Sequence, residues 1–245
     1  MNRMMLLASA AVLAGCHGKY KKAAPALGSV HPIVGVDGTA EVWMDAEEAA
    51  GPTSNPAIGI SQLVVGAVLY KRGARVENVL TDRVAPADIQ AEAIAGVSEG
   101  AESPPLPFMV DDEGVHPLLI TVERYGVVVE DGLPSVASEL SFELYDADSG
   151  ERLYRADHRC VTPFHRVDIP DVPMLGVHEL VAMKQLDKMS GKKLSEAVSW
   201  QVRACAEEAA RQMAVHAGAV PRERLAWSDF FDESVVPGQT HWTPM

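Results

Sequence analysis

Beyond its first residues, this 245-residue chain has no long apolar run. The longest candidate, Ile58 to Tyr70, is interrupted by Gly59, Ser61, Gln62 and Gly66. A spanning helix needs about 20 predominantly apolar residues, so none is expected there. Cations are also scarce: 21 Lys+Arg stand against 34 Asp+Glu, a net charge of −13. A phosphate-binding surface needs clustered cations, and apart from Lys19, Lys21 and Lys22 none appears, so no nucleic acid is expected as a partner. Catalytic signatures are missing too. There is no Gly-x-Ser-x-Gly elbow, no phosphate-binding glycine loop and no His-Glu-x-x-His. Ser190-Gly191-Lys192-Lys193 matches Ser-x-x-Lys, but the Ser-Asp-Asn and Lys-Thr-Gly segments that accompany it in penicillin-binding enzymes are absent. Ser190 and Gly191 read better as a turn between helices, and no enzymatic activity is expected.

The N-terminus carries a strong signal. Arg3 precedes an apolar stretch from Met4 to Val12, and Leu13-Ala14-Gly15-Cys16 follows. A positive start, a short apolar run and small residues before a cut site form a secretory signal. The apolar part is too short to span a membrane, and His17, Lys19, Lys21 and Lys22 follow it at once. With cysteine directly after Leu-Ala-Gly, the segment resembles a bacterial lipoprotein signal. That resemblance implies cleavage before Cys16 and lipid on Cys16, hence a membrane partner through that anchor. His17 stands where an Asp would mark inner-membrane retention in the enterobacterial sorting rule, so the resemblance implies an outer-membrane, periplasm-facing location. Each buried CH₂ contributes about 0.8 kcal/mol, and a single chain holds only weakly. The three acyl chains of such lipoproteins would make the attachment permanent. Lys19, Lys21 and Lys22 would lie beside the headgroups, where anionic lipid attracts cations; a solvated tether accounts for them equally well.

Three cysteines are present. With Cys16 taken by lipid, Cys160 and Cys205 remain, and an oxidising envelope favours a disulfide between them. Two separate buried thiols are the alternative. Loss of Arg3 with the signal takes the mature chain to −14, a balance that favours solubility. A hydrophobic content of 47% is ordinary for a globular domain. His158, His165 and His178 fall near Asp168 and Asp171, and imidazole and carboxylate do bind zinc. Their spacings match no ligand signature, so no metal or cofactor is expected. Asp111-Asp112-Glu113-Gly114 lacks the alternating oxygen ligands of a calcium loop and reads as a solvated turn.

The periodicities predict the following order. The signal peptide covers 1–15, the lipidated cysteine and tether 16–31, a globular domain 32–220 and a C-terminal tail 221–245. Within the domain, 32–45 reads as one or two strands around Asp37-Gly38. A helix over 60–72 is stopped by Gly73, and 75–80 reads as a short strand. Pro86 opens a helix over 87–95, and 96–107 reads as loop. Segments 118–130, 136–144 and 153–161 form an antiparallel meander, with the turn at Asp146–Gly150. Val177–Met189 is helical. Leu194, Val198, Val202, Cys205, Ala209 and Met213 form one apolar stripe on a longer helix that ends at Gly218. The expected class is α/β (α+β): an antiparallel-rich mixed sheet packed against a long C-terminal amphipathic helix.

Several of these pieces sit in a familiar sequence. Gly73-Ala74-Arg75-Val76 follows a helix, and Glu123-Arg124-Tyr125-Gly126 lies in a strand. A hairpin runs Leu144-Tyr145-Asp146-Ala147-Asp148-Ser149-Gly150-Glu151-Arg152-Leu153-Tyr154, and an amphipathic helix closes the unit. Over roughly 32–218 this is similar to the α/β domain of envelope lipoproteins of the curli-secretion and meningococcal surface-lipoprotein type. The resemblance implies a non-enzymatic accessory role in envelope assembly, secretion or transport, with envelope proteins as partners and homo-oligomerisation left open. A periplasmic lipoprotein that binds metal or a small ligand is the alternative.

Overall fold

A computed structural model gives the architecture, described over residues 18–44, 56–130, 133–164 and 177–219. A helical segment, α1 (18–23), leads through a 3-10 turn (Ala24–Ala26) into β1 (Ser29–Val36), followed by β2 (Glu41–Met44). Two helices come next, α2 (Pro56–Thr81) and α3 (Pro86–Glu102). The strands β3 (Met109–Val110), β4 (His116–Glu130), β5 (Leu133–Tyr145) and β6 (Arg152–Pro163) precede α4 (Val177–Leu186) and α5 (Gly191–Ala217). The fold is therefore α/β, with a mixed sheet in the order β3-β1-β4-β5-β6. Its longest ladders, β4–β5 and β5–β6, are antiparallel, while β1 and β2 run parallel to β4. Parallel neighbours need a crossover, which α2 and α3 supply.

β4 is long because a bulge lets one strand serve two registers. The pairing with β5 slips between Val122 and Arg124. Before the slip Leu118, Ile120 and Val122 are fully buried, and after it Tyr125, Val127 and Val129 are. An extra residue reverses which face the side chains take, so both halves point inward. Across the sheet the same break divides β1 from β2: β1 lies along 116–122 and β2 along 126–129. Asp37-Gly38 is accordingly a kink in a broken edge, not a reversal, and Asp37 N–H donates to Val122 O. At Gly126, φ is +146° and an added Cβ would stand 2.0 Å from Glu41 O. Glycine there lets β2 approach β4.

Three expectations are corrected by the helices. Gly73 does not stop α2, and 75–80 is helix, not strand. Leu69, Val76 and Leu80 are buried and lie with Gly73 at spacings of four, three and four, which is the inward stripe of one helix. A Cβ at Gly73 would meet Met183 and Val42 at an ordinary 3.9 Å. Likewise α3 runs past Gly96 to Glu102, where a loop is expected from composition. Its buried positions are Ile89, Ala93, Gly96, Val97 and Gly100. A Cβ at Gly96 would lie 2.2 Å from Arg203 O, and one at Gly100 2.3 Å from Glu207 O. These glycines are contact points where α3 presses on α5. Finally, the tether assigned to 16–31 is folded where it is described. Tyr20, Ala24 and Val30 have no exposed surface and Leu27 only 6%. Tyr20, Ala24 and Leu27 are spaced as one helical face, so the globular body starts well before residue 32.

The long C-terminal helix has the expected stripe: Leu194, Val198, Val202, Cys205, Ala209 and Met213 are all buried. Ser190 caps its start and Gly218 ends it in the left-handed conformation. The signal peptide, Cys16, His165 and the tail 221–245 lie outside the described residues.

The two kinds of helical glycine should respond oppositely. Gly96→Val is expected to cost about 3 kcal/mol or more, because overpacking meets backbone. Gly73→Ala is expected to be neutral or to stabilise by up to about 1 kcal/mol through helix propensity. Urea unfolding of the two variants measures the difference.

Candidate functional site

The part of the molecule closest in sequence to Cys16 is also tightly packed. α1 brings Tyr20 against Tyr154 of β6, with ring centroids 4.8 Å apart. Tyr154 in turn meets His216 near the end of α5, at 5.8 Å, and its hydroxyl lies 3.1 Å from His216 Nδ1. Burial pushes the hydroxyls of Tyr20 and Tyr154 well above the usual phenol range. The Tyr20 hydroxyl is buried with no hydrogen-bond partner among the described residues. Around this stack Lys19 pairs with Glu151 at 2.5 Å, and the Lys21 side chain lies over Gly218. The β5–β6 turn beside them is built by Asp146, whose Oδ1 accepts from Asp148 N, Ser149 N and Ser149 Oγ at 2.8–3.0 Å. Those bonds, the Ser149 N–H first, hold its carboxyl below the usual range. The neighbouring Ala147 N–H donates to His116 Nδ1 at 3.1 Å. The aromatic stack was not anticipated from the sequence. The signal available for it is one aromatic, Tyr20, in helical register with Ala24 and Leu27.

Cys160 and Cys205 form a disulfide, Cα–Cα 5.7 Å. It ties the middle of β6 to the buried stripe of α5. β6 is a sheet edge, paired only with β5 among the described residues, so this bond fixes a strand held by hydrogen bonds on one side. Along the same face of β6, His158 sets its ring edge-on to Phe142 at 5.7 Å. Burial pushes the His158 imidazole below its usual value, with Asp157 opposing. Its Nε2 is buried without a hydrogen-bond partner among the described residues. His165 lies outside the described residues, and of His178 only the backbone, in the first turn of α4, is described. Among the described residues no three His, Cys, Asp or Glu side chains converge on one point. Ser190 Oγ accepts from the Lys193 backbone N–H at 3.3 Å, which makes Ser-x-x-Lys a helix cap here. Asp111 accepts from Glu113 N at 2.6 Å within a tight, exposed turn.

Two surfaces are open to a partner among the described residues. The sheet face turned from the helices carries cross-strand ion pairs: Glu143 with Arg152 at 2.7 Å and Arg155 at 3.5 Å, and Glu139 with Arg159 at 3.3 Å. The Tyr145 hydroxyl also donates to Glu143 at 2.7 Å, and together with the arginines holds that carboxyl below its usual range. Exposed pairs of this kind contribute at most about 1 kcal/mol each. The same face also carries Ile33 of β1, 44% exposed, and Val161 of β6, 37% exposed. The second surface is a shallow groove of about 470 Å³ along α2, lined by Ala67, Val68, Lys71, Arg72 and Arg75. Arg72 and Arg75 both reach Asp187 at the end of α4, at 3.1 and 3.2 Å. No helix among the described residues is long and apolar enough to cross a membrane.

No protein-family model matches the chain, and no curated protein is significantly similar to it in sequence. Among solved structures, a variant PelC dodecamer from Paraburkholderia phytofirmans aligns with 78% of this chain and 88% of its own, at 8% identity and a TM-score of 0.33. Lipoprotein GNA1162 from Neisseria meningitidis aligns with 66% of this chain and 99% of its own, at 16% identity and a TM-score of 0.22. Likeness at this level is a loosely shared arrangement and carries no role across.

Two stability effects follow from the packing. Replacing Cys160 and Cys205 together by Ala opens a loop with a sequence separation of 45. In the chain-entropy model this costs about 4 kcal/mol, and calorimetry should show Tm lower by roughly 10 °C. Tyr20→Ala should destabilise by about 3–5 kcal/mol through the cavity it leaves. Tyr20→Phe should instead be neutral or stabilising in the same assay, since it removes a buried hydroxyl that has no hydrogen-bond partner among the described residues.

Proposed function

We propose that the chain is an envelope lipoprotein, cut before Cys16 and held to the outer membrane by lipid on that cysteine. Its α/β body serves as a non-enzymatic interaction module in envelope assembly, secretion or transport. The carrying observation is the disposition of the three cysteines. Cys160 and Cys205 are joined to each other. That leaves Cys16, the residue at the end of a signal-like segment, as the cysteine outside that disulfide. A structural disulfide fits an oxidising compartment, which is where such a signal delivers a protein. Two chemical signals far apart in the sequence thus support one location.

The interaction role rests on surfaces. The ion-paired sheet face and the α2 groove are broad and shallow, as sites for another protein's surface are, whereas small-ligand sites are concave and mostly enclosed. Attachment to one membrane raises the local concentration of such a face toward partners in that membrane.

Mass spectrometry of the protein recovered from cell membranes tests the location. The expected product begins at residue 16 and carries acyl groups on Cys16. Cys16→Ser should abolish both the acylation and the cut, and crosslinking in intact cells should recover envelope proteins only with the native cysteine. An unacylated residue 16, or a chain that keeps residues 1–15, overturns the reading.

A further inference from the structure

Where the chain leaves the membrane decides how the body sits on it. Cys16 and Gly18 are two residues apart, which spans at most about 7 Å. α1 is described from residue 18, and Tyr20 has no exposed surface. No slack therefore separates a lipid on Cys16 from the packed core. Around the start of α1 lie the β5–β6 turn, through the Lys19–Glu151 pair, and the C-terminal end of α5, through Lys21 over Gly218.

This is one end of the molecule. α5 ends here and begins about 40 Å away, taking 1.5 Å for each of its 27 residues. At that far end Gly191 packs against Arg83, in the turn between α2 and α3. β1 starts at the near end, where Met109 N–H donates to Gly28 O. Met109 and Val115 stand there 65% exposed each, two large apolar side chains on the end where the anchor emerges. Lys21 and Lys22 are exposed at the same end. So are Asp111, Asp112, Glu113 and Asp148, which makes its charge mixed in sign.

We propose that this end, comprising α1, the 146–151 turn, the 109–115 segment and the C-terminus of α5, is seated on the lipid surface. The turn between α2 and α3 and the 187–191 turn then point away from the bilayer. The inference rests on lipidation of Cys16 and adds to it an orientation. Because the seating comes from a short covalent link and exposed apolar side chains, with acids and lysines both present, it holds on neutral and anionic lipid alike.

The test uses the full lipoprotein in vesicles. With Cys16 acylated and the other two cysteines in a disulfide, an introduced cysteine is the sole site for a fluorescent donor. Ala147→Cys marks the near end and Asp82→Cys the far end; Lys22→Cys and Lys188→Cys form a second pair. Vesicles of phosphatidylcholine, with and without phosphatidylglycerol, carry a headgroup acceptor. Energy transfer at the near labels should exceed that at the far labels by about threefold or more, given the separation of about 40 Å along α5, and should do so on both lipids. Protein that floats with the vesicles but gives equal transfer at the two ends, or more at the far end, overturns the orientation and leaves the anchor standing. Protein that does not float overturns both.

Discussion

α5 has to fit two neighbours at once, and the rest of the structure is arranged around that fit. One side of the helix lies on β5 and β6, where Cys205 is bonded to Cys160. The other side lies against α3 so closely that Arg203 O and Glu207 O occupy the space a side chain would need at Gly96 and Gly100. Close packing of this kind leaves little room for adjustment. Moving α5 toward the sheet would open the α3 contact, and moving it toward α3 would pull on the disulfide. Arg203 adds ion pairs to Glu92 and Glu99 across the α3 contact, and these lower the Glu99 carboxyl and raise the guanidinium. They are exposed, so their effect is on registry more than on stability.

The same arrangement explains which parts of the fold were legible in the sequence. The meander from β4 to β6 was, because β-branched runs and apolar residues two apart mark its strands and Asp146–Gly150 supplies an unmistakable turn. The stripe of α5 was legible for the equivalent reason at period 3.6. α2 and α3 were not. Gly73, Gly96 and Gly100 look like breakers to a reading based on propensity, which disfavours glycine in helices by about 1 kcal/mol. Gly96 and Gly100 sit where α5 passes close by, whereas Gly73 is carried in the inward stripe of a helix that packing sustains; both are tertiary information. The bulge at Glu123 was hidden for a related reason: a run rich in β-branched residues does not reveal where its inward face changes parity.

The functional residues divide in the same way. The joining of Cys160 to Cys205 could be anticipated by counting, because three cysteines and one expected lipid site leave a pair. The histidines could not be judged by spacing. His158 is separated from His178 by a strand end and a helix start, and its environment is a Phe142 ring edge and buried sheet. Composition marked Lys19, Lys21 and Lys22 as a solvated segment, yet Tyr20 between them is among the most buried residues of the chain. Burial of a single aromatic side chain contributes about 1.5–3 kcal/mol, enough to fold a short helix that would not persist alone.

That burial has a mechanical consequence for an anchored protein. A flexible tether lets a body drift and reorient over the membrane, with a reach that grows with the square root of its length. Here the first described turn is already clamped between Tyr154 and the end of α5, within a few residues of the proposed lipid. With lipid on Cys16 as proposed, any pull between membrane and body would pass directly into the Tyr20–Tyr154–His216 stack. From there it reaches β6 and, through Cys160, the centre of α5. The disulfide thus lies on the path by which the proposed anchor would be connected to the core. The strand it secures is a sheet edge, held by hydrogen bonds on one side only among the described residues. A covalent tie at that point resists a load that the one-sided ladder alone would bear, which gives Cys160–Cys205 a role in holding position as well as in stability.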